Sequence, residues 1–252
     1  MNVKKILEEN YIKFHVKDFI KNDPISIPYK FTKNQDIEIM GFFASIFAWG
    51  LRKTIINKSN LLIDLFNGEP HNFIMNHKDE DLKRFLEFKH RTFNATDLLY
   101  FIAFLKHHYQ RYDSLEDAFL IGLKPEDETV ENSLIEFHNY FTSLEFFPER
   151  TRKHISTPER NSACKKLNMF LRWMVRDDEN NVDFGIWKRI KTSQLLMPLD
   201  VHVDRQARLL GLITRKQRDF KTVLELTKNL KKFDSNDPVK YDFALFGVGV
   251  NA

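Results

Sequence analysis

The feature that most limits what this chain can fold into is a recurring three-to-four-residue spacing of apolar side chains, with no sustained two-residue alternation to compete with it. Leu98, Ile102, Leu105 and Tyr109 stand at i, i+4, i+7 and i+11, with Asn94 or Thr96 available as cap. Leu134, Phe137, Phe141 and Leu144 repeat the pattern, and Pro148 ends it. Residues 36–51 are apolar on nearly every side, which predicts a helix buried over most of its surface. Ser114 followed by Asp117 predicts a capping box before Phe119 and Leu120; Asp237 and Pro238 predict a cap and first-turn proline ahead of Tyr241 to Phe246. The nearest approach to a strand, residues 25–29, is broken by Pro24 and Pro28. An all-α protein is the expectation, with irregular segments at 67–78, 124–128, 147–162 and 177–183.

Of the 252 residues 42% are hydrophobic and 24 are Phe, ample for a sizeable core. The longest apolar run, 39–51, is too short to span a bilayer, and Lys4, Lys5, Glu8 and Glu9 stand where a signal peptide needs apolar residues. A cytosolic protein is expected. The single cysteine, Cys164, excludes an internal disulfide framework, a four-cysteine iron-sulfur cluster and a multi-cysteine zinc site. Among the nine His only His107 and His108 are adjacent, and neighbouring helical residues point about 100° apart, so no metal or other cofactor is expected. Phosphate-cradling glycine loops, the zincin helix and the serine-hydrolase elbow are missing, and Gly247-Val248-Gly249 leaves no room for a nucleotide fold after it.

The formal charge is only +4, but it is unevenly spread. Residues 150–176 carry eight Lys/Arg against one acid and residues 203–232 nine against three, offset by acidic stretches at 124–131 and 177–183. Such asymmetry is the footprint of a phosphate-bearing partner or of solvated helix faces. Within the first basic stretch, 162–173 reads as a helix with Leu167, Phe170, Leu171 and Met174 on its buried side and Lys165 in its first turn. The helix N-terminus, Lys166, Arg160 and Arg172 all disfavour an ammonium at Lys165, so this lysine is a candidate amine nucleophile towards a sugar C1′ or a carbonyl; the plainer alternative is a surface cation. Asp200 precedes an amphipathic helix carrying Val203, Ala207 and Leu210 and is expected as its N-cap. A carboxylate fixed there can also stabilise an oxocarbenium ion or steer a nucleophile.

The string P-L-D-V-H-V-D-R-Q-A-R-L-L-G-L, residues 198–212, resembles the catalytic-aspartate segment of the helix-hairpin-helix DNA glycosylases, the superfamily of endonuclease III and the 8-oxoguanine glycosylases. Lys165 falls where a lysine opens a helix after the hairpin in that family, residues 48–58 resemble its early helix and turn, and 237–249 resemble its final packing helix. The chain is also similar to a family of bacterial proteins of unknown function that carry S-A-C-K-K-L-N-M-F-L-R-W-M-V-R, residues 162–176 here. Two departures stand out. Asn161-Ser162-Ala163 replaces the glycine-rich hairpin, and a long interval separates Lys165 from Asp200, filled by an insertion, 177–194, whose Asp183 to Trp187 can loop out. The absence of cluster cysteines points to the oxidised-purine branch.

The resemblance implies two helical subdomains with a cleft between them. One spans 36–189 and ends in the hairpin-like segment and the Lys165 helix; the other joins 1–35 to 190–252 and carries Asp200. It implies a monomeric base-excision DNA glycosylase in the bacterial cytosol, acting on double-stranded DNA with a damaged base such as 8-oxoguanine, without cofactor or membrane. Lys165 would attack C1′ and form a Schiff base, Asp200 would stabilise the sugar cation, and a β-elimination nick could follow. His202, Arg205, Lys166, Asn161 and Ser162 would contact the DNA. Trp49, Trp173 and Trp187 would either stack on a flipped base or belong to the core. The competing expectations are a non-catalytic helix-hairpin-helix DNA-binding protein and an all-α module that binds RNA or protein.

Overall fold

The computed structural model describes residues 2–251. Its helices are α1 (Val3–Phe14), α2 (Lys17–Ile20), α3 (Asn34–Phe47), α4 (Arg52–Leu65), α5 (Pro70–Asn76), α6 (Ala95–Tyr109), α7 (Glu116–Leu120), α8 (Glu131–Phe141), α9 (Lys165–Val175), α10 (Val201–Leu209), α11 (Phe220–Lys231) and α12 (Tyr241–Asn251), joined by short 3-10 turns. Among the described residues the only sheet is a two-residue antiparallel pair, Lys89 opposite Asn94 and His90 opposite Phe93. The protein is all-α. No described helix is long and apolar enough to cross a membrane.

The chain divides into two units. One comprises Asn22–Gly122 and Glu136–Ile155. Its core is aromatic: Phe43 of the almost wholly buried α3 lies with its ring centroid 5.7 Å from Phe101 and 6.0 Å from Phe66, while Phe47 packs edge-on to Phe93 at 5.1 Å. The buried Glu38 is satisfied by the Tyr109 hydroxyl at 2.7 Å, the Ser114 hydroxyl and the Leu115 N–H at 3.0 Å. The N-cap of α7 is Leu115, and the Ser114 hydroxyl accepts from the Glu116 N–H at 3.1 Å while it donates to Glu38. Asn94 and Asp97 cap α6 reciprocally, and Asp97 also accepts from Thr151 at 2.8 Å and pairs with Arg150 and His154. Two expectations need correcting in this region. The stretch 67–78 contains α5, opened by Pro70 and held by buried Phe73 and Ile74. Helix α8 stops at Phe141, before Leu144, as the hydroxyls of Thr142 and Ser143 turn back onto the carbonyls of His138 and Tyr140.

The other unit comprises Met1–Lys21, Leu123–Ile135 and Ser156–Ala252. Lys165 and Asp200 therefore lie in one unit, which differs from the expected division at 35 and 189. Helix α12 runs through it against α1 and α10. The approach is close enough to need glycine: a Cβ on Gly247 would lie 2.3 Å from the Phe14 ring, and one on Gly249 would lie 2.8 Å from the Cβ of His202. The segment after α9 does not loop out as expected. Phe184 N–H bonds to the Trp173 carbonyl at 2.8 Å and Trp187 N–H to that of Met174 at 2.9 Å, and Asp183 and Trp187 are buried. The reason is charge: Arg172 on α9 and Arg176, its C-cap, are buried and draw the acidic segment onto the helix.

Candidate functional site

Lys165 is the first residue of α9, and the chain reaches it through two left-handed positions. A single 3-10 turn, Pro158–Arg160, ends on Asn161 at φ 54°, and Cys164, the N-cap, stands at φ 48°. Asparagine visits this region readily and cysteine does not. Asn161 is held there by its side-chain amide, which donates to Asp219 at 3.1 Å, and by its carbonyl, which accepts from Phe220 N–H at 3.2 Å. Ser162 accepts from the Cys164 N–H, the Cys164 thiol donates to the Ser162 carbonyl, and the buried Asn168 amide donates to the Ala163 carbonyl at 3.2 Å. Burial pushes the Cys164 thiol up to about 11, so this cysteine is a packing group rather than a nucleophile.

The first turn of α9 contains no acid and presents Lys165 and Lys166 to the positive end of the helix. Both are half-buried. Desolvation, followed by the charge of Lys165, pushes Lys166 down to about 8. Lys165 and Arg172 stand at i and i+7 and so share one face of the helix, and Arg176 is its C-cap. Arg172 donates to Asp183 at 3.3 Å and to Asp242 in the first turn of α12, with its guanidinium 4.4 Å from the centroid of Phe243. Arg176 reaches Asp237 at 2.8 Å, Asp178 and Asp183 at 3.1 Å and the Tyr11 hydroxyl at 2.7 Å.

Asp200 is the N-cap of α10, and its Oδ1 accepts from the N–H groups of His202 at 2.8 Å and Val203 at 2.9 Å. Lys165 and Asp200 are both felt at one carboxyl, that of Asp242. Burial pushes Asp242 up to about 7 in spite of Arg172; the charge of Asp200 adds to the rise and that of Lys165 opposes it. Three elements thus contribute to one electrostatic cluster: the start of α9, the cap of α10 and the first turn of α12.

The other expected DNA contacts are partly committed elsewhere. His202 Nδ1 lies 2.9 Å from the Gly249 carbonyl and so donates to it, and Arg205 donates to the same oxygen at 2.8 Å. Both residues tie α10 to the end of α12. Asn161 and Ser162 shape the turn before α9, as described above. Trp173 and Trp187 are core residues; Trp49 is partly exposed under the Arg91 guanidinium. The basic stretches are likewise thinned by internal bonds, since Arg208 holds Asp204 and the carbonyls of 215–217, and Arg215 pairs with Asp219 at 2.9 Å. Arg160, Lys216, Arg218 and Lys221 remain exposed around the Asn161–Asp219 bond.

Asp242 and its pairing with Arg172 escaped the sequence reading. The available signal was an arginine interrupting the apolar side of α9, because a buried guanidinium needs a carboxylate partner.

A family described as a protein of unknown function, DUF2400, matches residues 23–251. The chain belongs to that family. No curated protein and no solved structure matches it. The expected membership of the helix-hairpin-helix glycosylase superfamily is therefore corrected: the match over nearly the whole chain is to DUF2400. The turn before Lys165 agrees with this correction, since a single 3-10 turn precedes it.

Proposed function

We propose that this protein is a lysine-dependent enzyme of DNA base excision, an N-glycosylase with an accompanying β-lyase step. The observation that carries the reading is that Lys165, first residue of α9, and Asp200, the cap of α10, stand in one unit with Asp242, a buried carboxyl bonded to Arg172 of α9. A lysine amine at one helix start, with a carboxylate fixed at another, suits attack on an electron-poor carbon that becomes cationic as its leaving group departs. In the proposed reaction Lys165 Nζ bonds to C1′ of a nucleotide turned out of the duplex, and the base leaves with the electron pair of its glycosidic bond and takes a proton. The amine gives up a proton, the C1′–O4′ bond opens, and a Schiff base results. Loss of a C2′ proton then expels the 3′ phosphate, and water releases the lysine. Asp200 stabilises the sugar cation through its charge. The exposed Arg160, Lys216, Arg218 and Lys221 supply the sequence-independent attraction for the backbone, with the protein working beside DNA in the cytosol.

The test is borohydride trapping of the purified protein on labelled duplexes bearing 8-oxoguanine, an abasic site or no lesion, with Lys165→Gln and Lys166→Gln alongside. The expected result is a covalent adduct on a damaged duplex that Lys165→Gln abolishes and Lys166→Gln retains. No adduct on any duplex overturns the enzymatic reading. Salt-sensitive binding without adduct would then favour a non-catalytic DNA-binding protein, a role for which the internal use of His202 and Arg205 is no obstacle.

A further inference from the structure

Residues 64–87 run against the charge of the whole chain, with six Asp/Glu against three Lys/Arg in a protein of net charge +4. They belong to the unit that does not hold Lys165, and they enclose an open cavity of about 200 Å³. Its apolar lining is Phe66 and Phe73, both buried, with the His77 ring stacked on Phe73 at 5.5 Å and 14°. Its polar lining includes two carboxylates, Glu69 and Asp81, and no cation. Glu69 is the N-cap residue of α5, but its side chain makes no capping bond; its Oε2 accepts instead from the Asn72 amide at 2.8 Å. An ionised carboxylate can only accept, so this bond orients the amides that follow it. Asn72 turns its Oδ1 towards Asn76, whose Nδ2 donates to it at 2.7 Å and to the Asn72 carbonyl at 3.0 Å. His77 Nδ1 must likewise carry a proton, because its partner at 3.1 Å is the Phe73 carbonyl. What remains is one-sided: among the described residues nothing donates to Glu69 Oε1, Asn76 Oδ1 or His77 Nε2. The cations beside the cavity are committed, Arg84 to Asn67 Oδ1 at 2.8 Å and the Leu65 carbonyl at 3.3 Å, and Lys106 to the His77 carbonyl at 3.5 Å.

We propose that this cavity binds an alkylammonium ion, a primary amine carried on an aliphatic stem. Two carboxylates and a surplus of acceptors match the charge and the three N–H donors of the ammonium, and the aromatic lining matches the stem and attracts the cation. The chain already holds a positive charge of its own in these surroundings, since the Arg84 guanidinium lies 5.4 Å from the centroid of Phe73. An anion is repelled by the same carboxylates. A bare metal ion does not suit the cavity, because among the described residues no group of three His, Cys, Asp or Glu side chains is placed to hold one. The space is also larger than an ion needs, equal to that of about seven waters in the liquid. The same ammonium chemistry has two sources, the end of a free diamine or polyamine and a lysine side chain of another protein. The site is independent of Lys165 and of the activity proposed above.

Titration of the whole chain with putrescine at constant ionic strength, followed through the NMR signals of the His77 and Phe73 rings, tests the proposal. Butanediol, of the same length but uncharged, and N-acetyl-lysine methylamide are titrated alongside. The expected result is a saturable shift of both ring signals with an amine and none with butanediol. Glu69 is exposed and Asp81 half-buried, and Glu69→Gln and Asp81→Asn should each weaken the binding by about tenfold, the size of one charge-assisted hydrogen bond. Tighter binding of putrescine than of the lysine derivative assigns a free amine as the source, and the reverse order assigns a protein side chain. Absence of a saturable shift with either amine overturns the proposal, as does an equal shift with butanediol or undiminished binding by both variants. Trapping of an adduct at Lys165, or its failure, bears on the enzymatic reading alone.

Discussion

Asp97 shows how much a single buried carboxylate contributes in this chain. It has no solvent exposure, and against the cost of its burial His154, the Asn94 N–H and the Thr151 hydroxyl hold it down at about 2. Its folded pKa lies below its unfolded one, so the stabilisation is complete above about pH 4 and is lost as the pH falls towards 2. The amount is about 2 kcal/mol. Urea unfolding at pH 6 and pH 3 should show about half of that loss in the wild type, and Asp97→Asn should be less stable at pH 6 and flatter between the two. Residue-scale legibility varied with the locality of the bond. Asp200 was readable as a cap because its partners are two and three residues ahead of it. Asp242 was not, because its partner Arg172 is seventy positions away and nothing in the apolar run that follows it reveals that pairing.

At the scale of elements, the crossing of α12 with α1 depends on Gly247, whose missing side chain makes room for Phe14. Gly247→Ala should therefore destabilise the protein by about 1–3 kcal/mol, the usual cost of overpacking, despite alanine's better helix propensity. Thermal unfolding checks this, and Phe14→Val added to Gly247→Ala should recover part of the loss, which no backbone effect at residue 247 would allow. Helices with a clean periodicity, α6 above all, were legible within a residue or two of their ends. The looping out expected of Asp183 to Trp187 within the insertion 177–194 was misjudged because aspartates in sequence read as solvated loop. Their burial is decided by two arginines on another element, and no local pattern records that. The same arginines inflate the apparent basic footprint of 150–176, since buried and paired cations cannot attract a polyanion.

For the whole molecule, helix content and the absence of extended strands followed from periodicity, whereas the division into units did not. The unit that holds the Lys165 cluster is assembled from three separate stretches of chain, and the other is interleaved with it in sequence. Composition carries no trace of such interleaving. It follows from pairings between distant segments, such as Tyr241 of α12 donating to Glu8 of α1 and Arg176 donating to Tyr11.

The packing of α1 against α12 also has a consequence in time. A ribosome makes α12 more than two hundred residues after α1, so Leu7 and Phe14 wait without that partner until those residues have been added. Chains stalled before residue 237 should remain open to protease within α1, and chains stalled far enough beyond 251 for α12 to clear the exit tunnel should be protected there. During that interval the buried ion-pair group that includes Asp242 does not yet exist.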